Sequence, residues 1–217
     1  MKVTSSSITG LKNCEVPYRV LSTSDNPVGL AIFFPGIGYT VMGPLLHYPT
    51  GMFLSEGWDV LHINYHYNSD ELKEMTDQEF DEMLLSDCKT VIDIALEAKT
   101  YESYCLLAKS LGTIPLRNEL KREAFKDAAA IWLTPLLKEE MVYKAMKETN
   151  HKGLCFIGDR DPHYLEERIE ELSSNQQLKL HLIPDANHSL EHDFHVLNSM
   201  DIHKSIMTAI ESFIKKV

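Results

Sequence analysis

The sequence predicts an α/β fold, a mostly parallel central sheet with helices on both faces. Short apolar runs alternate along the chain with amphipathic stretches, the pattern of strands joined by crossover helices. Several of those runs are apolar at every position rather than at every second one, as in strands buried on both faces. With 217 residues, 44% of them hydrophobic, the chain suits one compact domain over 1–217 with a sizeable core.

Two short strand-like pieces open the chain, at about 1–9 and 14–22. VGLAIFF (28–34) is a continuous apolar run ended by Pro35-Gly36, and a helix over about 43–56 follows, stopped by Gly57. WDVLHINY (58–65) is the next strand. Thr76-Asp77-Gln78-Glu79 has the capping-box pattern and opens a helix to about Lys99. Strands are then expected at 103–108, 128–133, 153–158 and 178–183, with helices at 111–123, 138–149 and 163–172 between them. Ile202, Ile206, Ile210 and Phe213 form the apolar stripe of a closing helix. There is no repeat, low-complexity segment or dividing linker.

A formal charge of −11 argues against a nucleic-acid or anionic-membrane surface, because phosphate binding needs clustered Lys and Arg. No stretch has the roughly 20 apolar residues of a membrane helix. The opening MKVTSSSITG lacks the apolar run of a secretory signal. Cys14, Cys88, Cys105 and Cys155 form no CxxC pair, and Cys105 and Cys155 sit in apolar strands, a usage that fits the cytoplasm.

Parallel sheets bind ligands beyond the carboxyl ends of their strands. The strand ending at Ala108 runs into Lys109-Ser110-Leu111-Gly112 and then at once into a helix. A serine on such a sharp turn, written G-x-S-x-G, is a nucleophile elbow: small neighbours permit the turn, and the helix N-terminus offers N–H groups to a developing oxyanion. Ala108 replaces the first glycine. The simpler reading is that Ser110 caps the helix. Two further strand ends bear on the choice. GLCFIG is followed by Asp159-Arg160-Asp161-Pro162, and LKLHLIP by Asp185-Ala186-Asn187-His188. A serine needs a base to take its proton, and the base needs an acid to orient it.

On these three motifs in the order Ser, Asp, His, the chain resembles the α/β-hydrolase family, specifically compact members without a cap domain, from about residue 28 to the end. The resemblance implies the α/β-hydrolase fold, Ser110 as nucleophile and His188 as general base. The acid usually follows the strand-ending glycine by three positions, which selects Asp161 over Asp159 after Gly158. Backbone N–H groups of Leu111 and of the loop after the first long apolar strand form the oxyanion hole. Ile37 is the first choice there, with Gly38 beside it; Pro35 stands where many members have His. No cofactor or metal is implied, and the partner is a small-molecule acyl substrate. One helix fills the interval between the strands at 128–133 and 153–158, where many relatives insert a cap, so the pocket should be shallow and suit short esters or thioesters. Carbon–carbon bond hydrolysis would use the same residues, and a non-catalytic binding member of the fold is the second alternative.

Two rival motifs are weaker. Gly36-Ile37-Gly38 through Gly43 is spaced GxGxxxxG rather than GxGxxG, and the next strand ends without an acid for a ribose. His188-Ser189-Leu190-Glu191-His192 matches HxxEH, a zinc signature that requires both histidines one turn apart on a helix. Pro184, Asp185 and Asn187 favour a loop there instead, and His192, His195 and His203 read as partly exposed positions around the final helix. Tyr39, Tyr65 and Pro135 lie just past strand ends, where they would line the pocket or pack in loops. Trp58 and Trp132 read as core. Lys109 and Arg160 each precede a candidate catalytic residue, a position that would favour an anionic acyl group, but surface solvation is the ordinary fate of such cations. Asp70 to Glu82 reads as a solvated loop and helix start.

Overall fold

The computed structural model describes residues 1–67 and 75–217. Its strands are β1 (Lys2–Thr9), β2 (Glu15–Ser22), β3 (Leu30–Phe34), β4 (Asp59–Ile63), β5 (Tyr104–Lys109), β6 (Ala129–Leu133), β7 (Gly153–Gly158) and β8 (Leu178–Ile183). Its helices are α1 (Pro44–Ser55), α2 (Asp77–Ala98), α3 (Thr113–Glu119), α4 (Glu140–Glu148), α5 (Glu166–Ser173) and α6 (Val196–Ile214). One sheet has the order β1-β2-β4-β3-β5-β6-β7-β8. β2 is antiparallel to both β1 and β4, and every other pair is parallel.

The all-apolar strands divide their side chains between two cores. Ile32, Phe34, Leu106, Ala108, Trp132 and Cys155 face a cluster shared with α2, α3, α4 and α5. Ala31, Phe33, Cys105, Leu107, Ile131 and Phe156 face a second cluster closed by α1 and α6. Ile206 and Ile210 are buried in the second cluster, while Ile202 and Phe213 pack at its edge. Trp58 and Trp132 are core residues, as expected. Thr76 caps α2 through the full reciprocal box, its Oγ1 accepting from Glu79 N while Glu79 Oε2 accepts from Thr76 N. Residues 76–79 at that helix start are exposed, and the 70–74 part of the acidic stretch lies outside the described residues.

Two helices differ from expectation. The expected helix over 111–123 is a 3₁₀ turn (Ser110–Gly112), then α3, which stops at Glu119, then a second 3₁₀ turn (Glu123–Phe125). The carbonyl of Leu120, just past α3, is bonded to His151 Nε2 at 3.0 Å, an end set by a residue 31 positions away. The helix expected from 163 starts at Glu166 because Asp161 holds the preceding turn, accepting from His163 N on its side chain and from Tyr164 N on its carbonyl.

The chain passes from β3 outward to β4 and then returns to the other side of β3 as β5. The loops leaving β3 and β5 therefore diverge to opposite faces, which opens a crevice at their carboxyl ends. Helix α1, which follows the β3 loop bordering it, is tied to the sheet by His62 on β4, buried between β2 and α1. Its Nδ1 accepts from Arg19 Nε at 3.0 Å, so its Nε2 carries the hydrogen and meets Thr50 Oγ1 at 2.7 Å, and Thr50 in turn donates to Leu46 O at 2.8 Å.

Burial, then the positive charges of Arg19 and His47, push His62 down to about 3. A histidine in the unfolded chain titrates near 6.5. Between those values the unfolded state binds the extra proton, so stability is full above about pH 6.5 and is lost as pH falls toward 3. His62→Gln offers the same acceptor and donor without the titration. Acid denaturation followed by circular dichroism should therefore show a shallower loss for the variant, by about one proton.

Candidate active site

Ser110 sits at the end of β5 with φ +50, in the left-handed region that a non-glycine residue enters at a cost. Close packing enforces this. A Cβ on Gly112 would lie 2.3 Å from Phe34 O, and one on Gly36 would lie 3.2 Å from Ser110 Cβ, so the β5 turn and the β3 loop meet at backbone distance. Ser110 is 7% exposed, just past the carboxyl end of β5. Its Oγ is 2.8 Å from His188 Nε2, and Thr113 Oγ1 donates to its carbonyl at 2.6 Å. The hydroxyl thus engages His188 instead of capping the helix.

His188 Nδ1 lies 2.7 Å from Asp161 Oδ2. A carboxylate only accepts, so Nδ1 carries the hydrogen and Nε2 presents its lone pair to the serine. Asp161 is 4% exposed, and its Oδ1 accepts from His163 N at 2.8 Å, so both oxygens are occupied. Asp159 points elsewhere: it is exposed and accepts from Asp185 N at 2.8 Å. Arg160 is exposed and pairs with Asp185, as a surface cation. A Cβ on Gly158 would fall 1.9 Å from Ala186 O, so the β7 and β8 ends are in backbone contact too. That contact brings the loops of Asp161 and His188 together.

The turn after His188 is fixed by Asn187, whose Oδ1 accepts from Ser189 N (2.8 Å) and Glu191 N (3.2 Å). The HxxEH segment is consequently a series of turns, not a helix, and both nitrogens of His188 are engaged by Ser110 and Asp161. His192 and His203 are half-buried and His195 is exposed beside α6.

Ile37, Gly38 and Leu111 line one cavity of about 190 Å³, together with Tyr39, Tyr65 and Tyr67. Tyr65 donates to Pro35 O and stacks on Tyr67 with ring centroids 5.6 Å apart. Burial raises the phenols of Tyr65 and Tyr39, the latter to about 12. Tyr39 OH accepts from Leu45 N at 2.9 Å. Pro135 is buried past β6 and does not line this cavity.

Lys109 corrects the sequence reading. It is 2% exposed rather than solvated, and its Nζ donates to His188 O (3.0 Å) and Thr134 Oγ1 (3.2 Å) while lying 4.6 Å from the Tyr39 ring centroid. Burial pulls its ammonium down to about 8, against the opposing charges of Asp161 and Glu191. With its donors occupied, it is no receptor for an anionic acyl group. Thr134, φ +45 and fully buried, and His163, whose ring centroid is 5.4 Å from that of His188, also escaped the sequence reading. Long-range contacts define all three, and only the place of Lys109 at a strand end hinted at a role.

No family model matches the sequence, and no curated protein matches it. Solved structures do match over nearly the whole chain. A protein of unknown function from Agrobacterium tumefaciens, grouped with the α/β-hydrolases, superimposes with TM-score 0.75 at 16% identity, covering 98% of this chain and 95% of that one. An α/β serine hydrolase without a lid from Xanthomonas campestris gives 0.70 at 13% identity, over 98% and 95%. An esterase from Pyrococcus furiosus gives 0.71 at 13%, over 99% and 92%. The chain therefore has the α/β-hydrolase fold.

The elbow's geometry yields a test of its own. Gly112→Ala forces a methyl against the Phe34 carbonyl, and overpacking of this kind costs roughly 1–3 kcal/mol. Thermal denaturation should show a Tm lower by about 2–12 °C for a domain of this size.

Proposed function

We propose that this chain is a serine hydrolase that transfers acyl groups from small carboxylic esters or thioesters to water, as a single 1–217 domain without a cap. The observation that carries the reading is the continuous chain of contacts from Ser110 Oγ through His188 to Asp161, 2.8 and 2.7 Å long. Ser110 attacks the acyl carbon while His188 Nε2 takes its proton, and Asp161 stabilises the imidazolium so formed. The oxyanion is received by the Leu111 N–H and by that of Ile37 or Gly38. The tetrahedral adduct collapses, and the alcohol or thiol departs with the proton from His188. Water, deprotonated by the same nitrogen, then frees the acid and regenerates the serine.

The lidless and esterase structures sharing this fold support the reading, as does the single helix α4 between β6 and β7, where a cap would enter. The small aromatic-walled cavity beside Leu111 suits a short acyl group. Among the described residues no helix is long and apolar enough to cross a membrane. Cys88, Cys105 and Cys155, all buried and unpaired, suit a reducing cytoplasm.

Ser110→Ala should lower turnover of a p-nitrophenyl ester by on the order of 10⁴-fold with an unchanged circular dichroism spectrum. A fluorophosphonate probe should label wild-type Ser110, and EDTA should change neither readout. Unimpaired turnover in the pure alanine variant would refute the proposal.

Asp161→Asn should reduce kcat by about 10⁴-fold, because an amide no longer holds the hydrogen on Nδ1. Asp159→Asn, altered at an exposed carboxylate that accepts from Asp185 N, should stay within about threefold of wild type. Steady-state kinetics on both variants would reassign the acid if Asp159→Asn proved the more damaged.

A further inference from the structure

We infer that Lys109 is a positioning residue whose buried ammonium ties the loops carrying Tyr39, Thr134 and His188 together around the Ser110 hydroxyl. The inference rests on the proposed Ser110–His188–Asp161 chemistry. An ammonium has three N–H donors, and Lys109 faces three acceptors of different kinds: the His188 carbonyl at 3.0 Å, the Thr134 hydroxyl at 3.2 Å and the face of the Tyr39 ring, 4.6 Å to its centroid. Each acceptor lies on a different strand-end loop, after β8, β6 and β3, while Lys109 itself ends β5 and precedes the nucleophile. One atom thus cross-links four loops at the crevice.

The contacts bear on placement more than on folding. The bond to the His188 carbonyl fixes the backbone from which the imidazole projects. The contact with Tyr39 sets the loop of Ile37 and Gly38, the proposed oxyanion donors. Thr134, next to Lys109 on the neighbouring strand end, has a left-handed φ that a β-branched residue adopts only when its surroundings compel it. Charge matters because hydrogen bonds from an ionised donor are about twice as strong as neutral ones, and the ring contact needs a cation.

The titratable groups facing Lys109 are Asp161 from the β7 loop, Glu191 and His188 from the β8 loop and Tyr39 from the β3 loop. Burial outweighs the two carboxylates and brings the ammonium to about 8, against 10.5 in the unfolded chain. Between those values the unfolded state binds more protons, so stability rises with pH across that window. At neutral pH the charged form is therefore retained against a stability cost.

Lys109→Met keeps the length and removes the charge. At pH 7 its Tm should be no lower than wild type. Its fluorophosphonate labelling rate and its kcat should fall at least about tenfold, since small displacements of reacting groups are costly, with KM within about twofold. Wild-type labelling should also decline several-fold as pH rises through about 8, a limb missing in Lys109→Met. A Tm that drops in step with activity, or labelling within twofold of wild type, would overturn the inference. If the variant fails to fold, wild-type labelling that stays level from pH 7 to 10 overturns it alone. Unlabelled wild-type Ser110 would instead refute the hydrolase proposal, an outcome distinct from these.

Discussion

Backbone-to-backbone contact between β3 and β5 at their carboxyl ends is the constraint on which the functional end of the molecule depends. The two strands pair in parallel up to Phe34 opposite Ala108, and immediately beyond them Gly112 packs against the Phe34 carbonyl while Gly36 packs against Ser110. With no room to swing wide, the chain turns through a left-handed serine, passes through the 3₁₀ turn Ser110–Gly112 and enters α3 at Thr113. The same contact explains why alanine is tolerated at 108 but glycine is needed at 112. Ala108 points into a cluster of apolar side chains that accommodates a methyl, whereas the Gly112 Cα faces a carbonyl oxygen.

The carboxyl ends of the strands also concentrate strain and buried polarity. Ser110, Thr134 and Asp185, just past β5, β6 and β8, all have positive φ. Two cationic residue types meet burial there in opposite ways. His62 has an acceptor role on one nitrogen and a donor role on the other, so it stays neutral and is simply structural. Lys109 faces acceptors alone, and an acceptor-only surrounding favours the protonated amine even though burial opposes it. The difference lies in the partners rather than in depth.

Most of this architecture was legible in the sequence. Continuous apolar runs such as AIFF and CLLA mark strands with two buried faces, and the Thr76–Glu79 box places a helix start to the residue. Ser110, Asp161 and His188 were legible because each sits where a strand pattern breaks into turn residues. Through the family resemblance Gly158 pointed to Asp161, and in the structure the same glycine lets Ala186 approach to contact. What stayed hidden depends on contacts between distant residues. α3 ends under His151, the turn before α5 serves Asp161, and Lys109 is buried by loops from β3, β6 and β8. A lysine carries no local sign that its nitrogen will find three acceptors, so the general preference of lysine for solvent misleads at that position.

Buried charge also bears on what the proposed enzyme would accept. A cation beside the proposed nucleophile ordinarily suggests an anionic substrate, but Lys109 is buried with its ammonium directed at His188 O, Thr134 Oγ1 and the Tyr39 ring. Arg160, which precedes Asp161 in the chain, is held by Asp185. The cavity beside Leu111 has Tyr39, Tyr65 and Tyr67 in its lining, and the chain as a whole carries a formal charge of −11, a field that disfavours the approach of anions. Uncharged esters and thioesters therefore meet the least electrostatic opposition. On the proposed chemistry their reaction would generate a negative charge at the carbonyl oxygen, where backbone N–H groups of Leu111 and the Ile37–Gly38 loop rather than a side-chain cation would receive it.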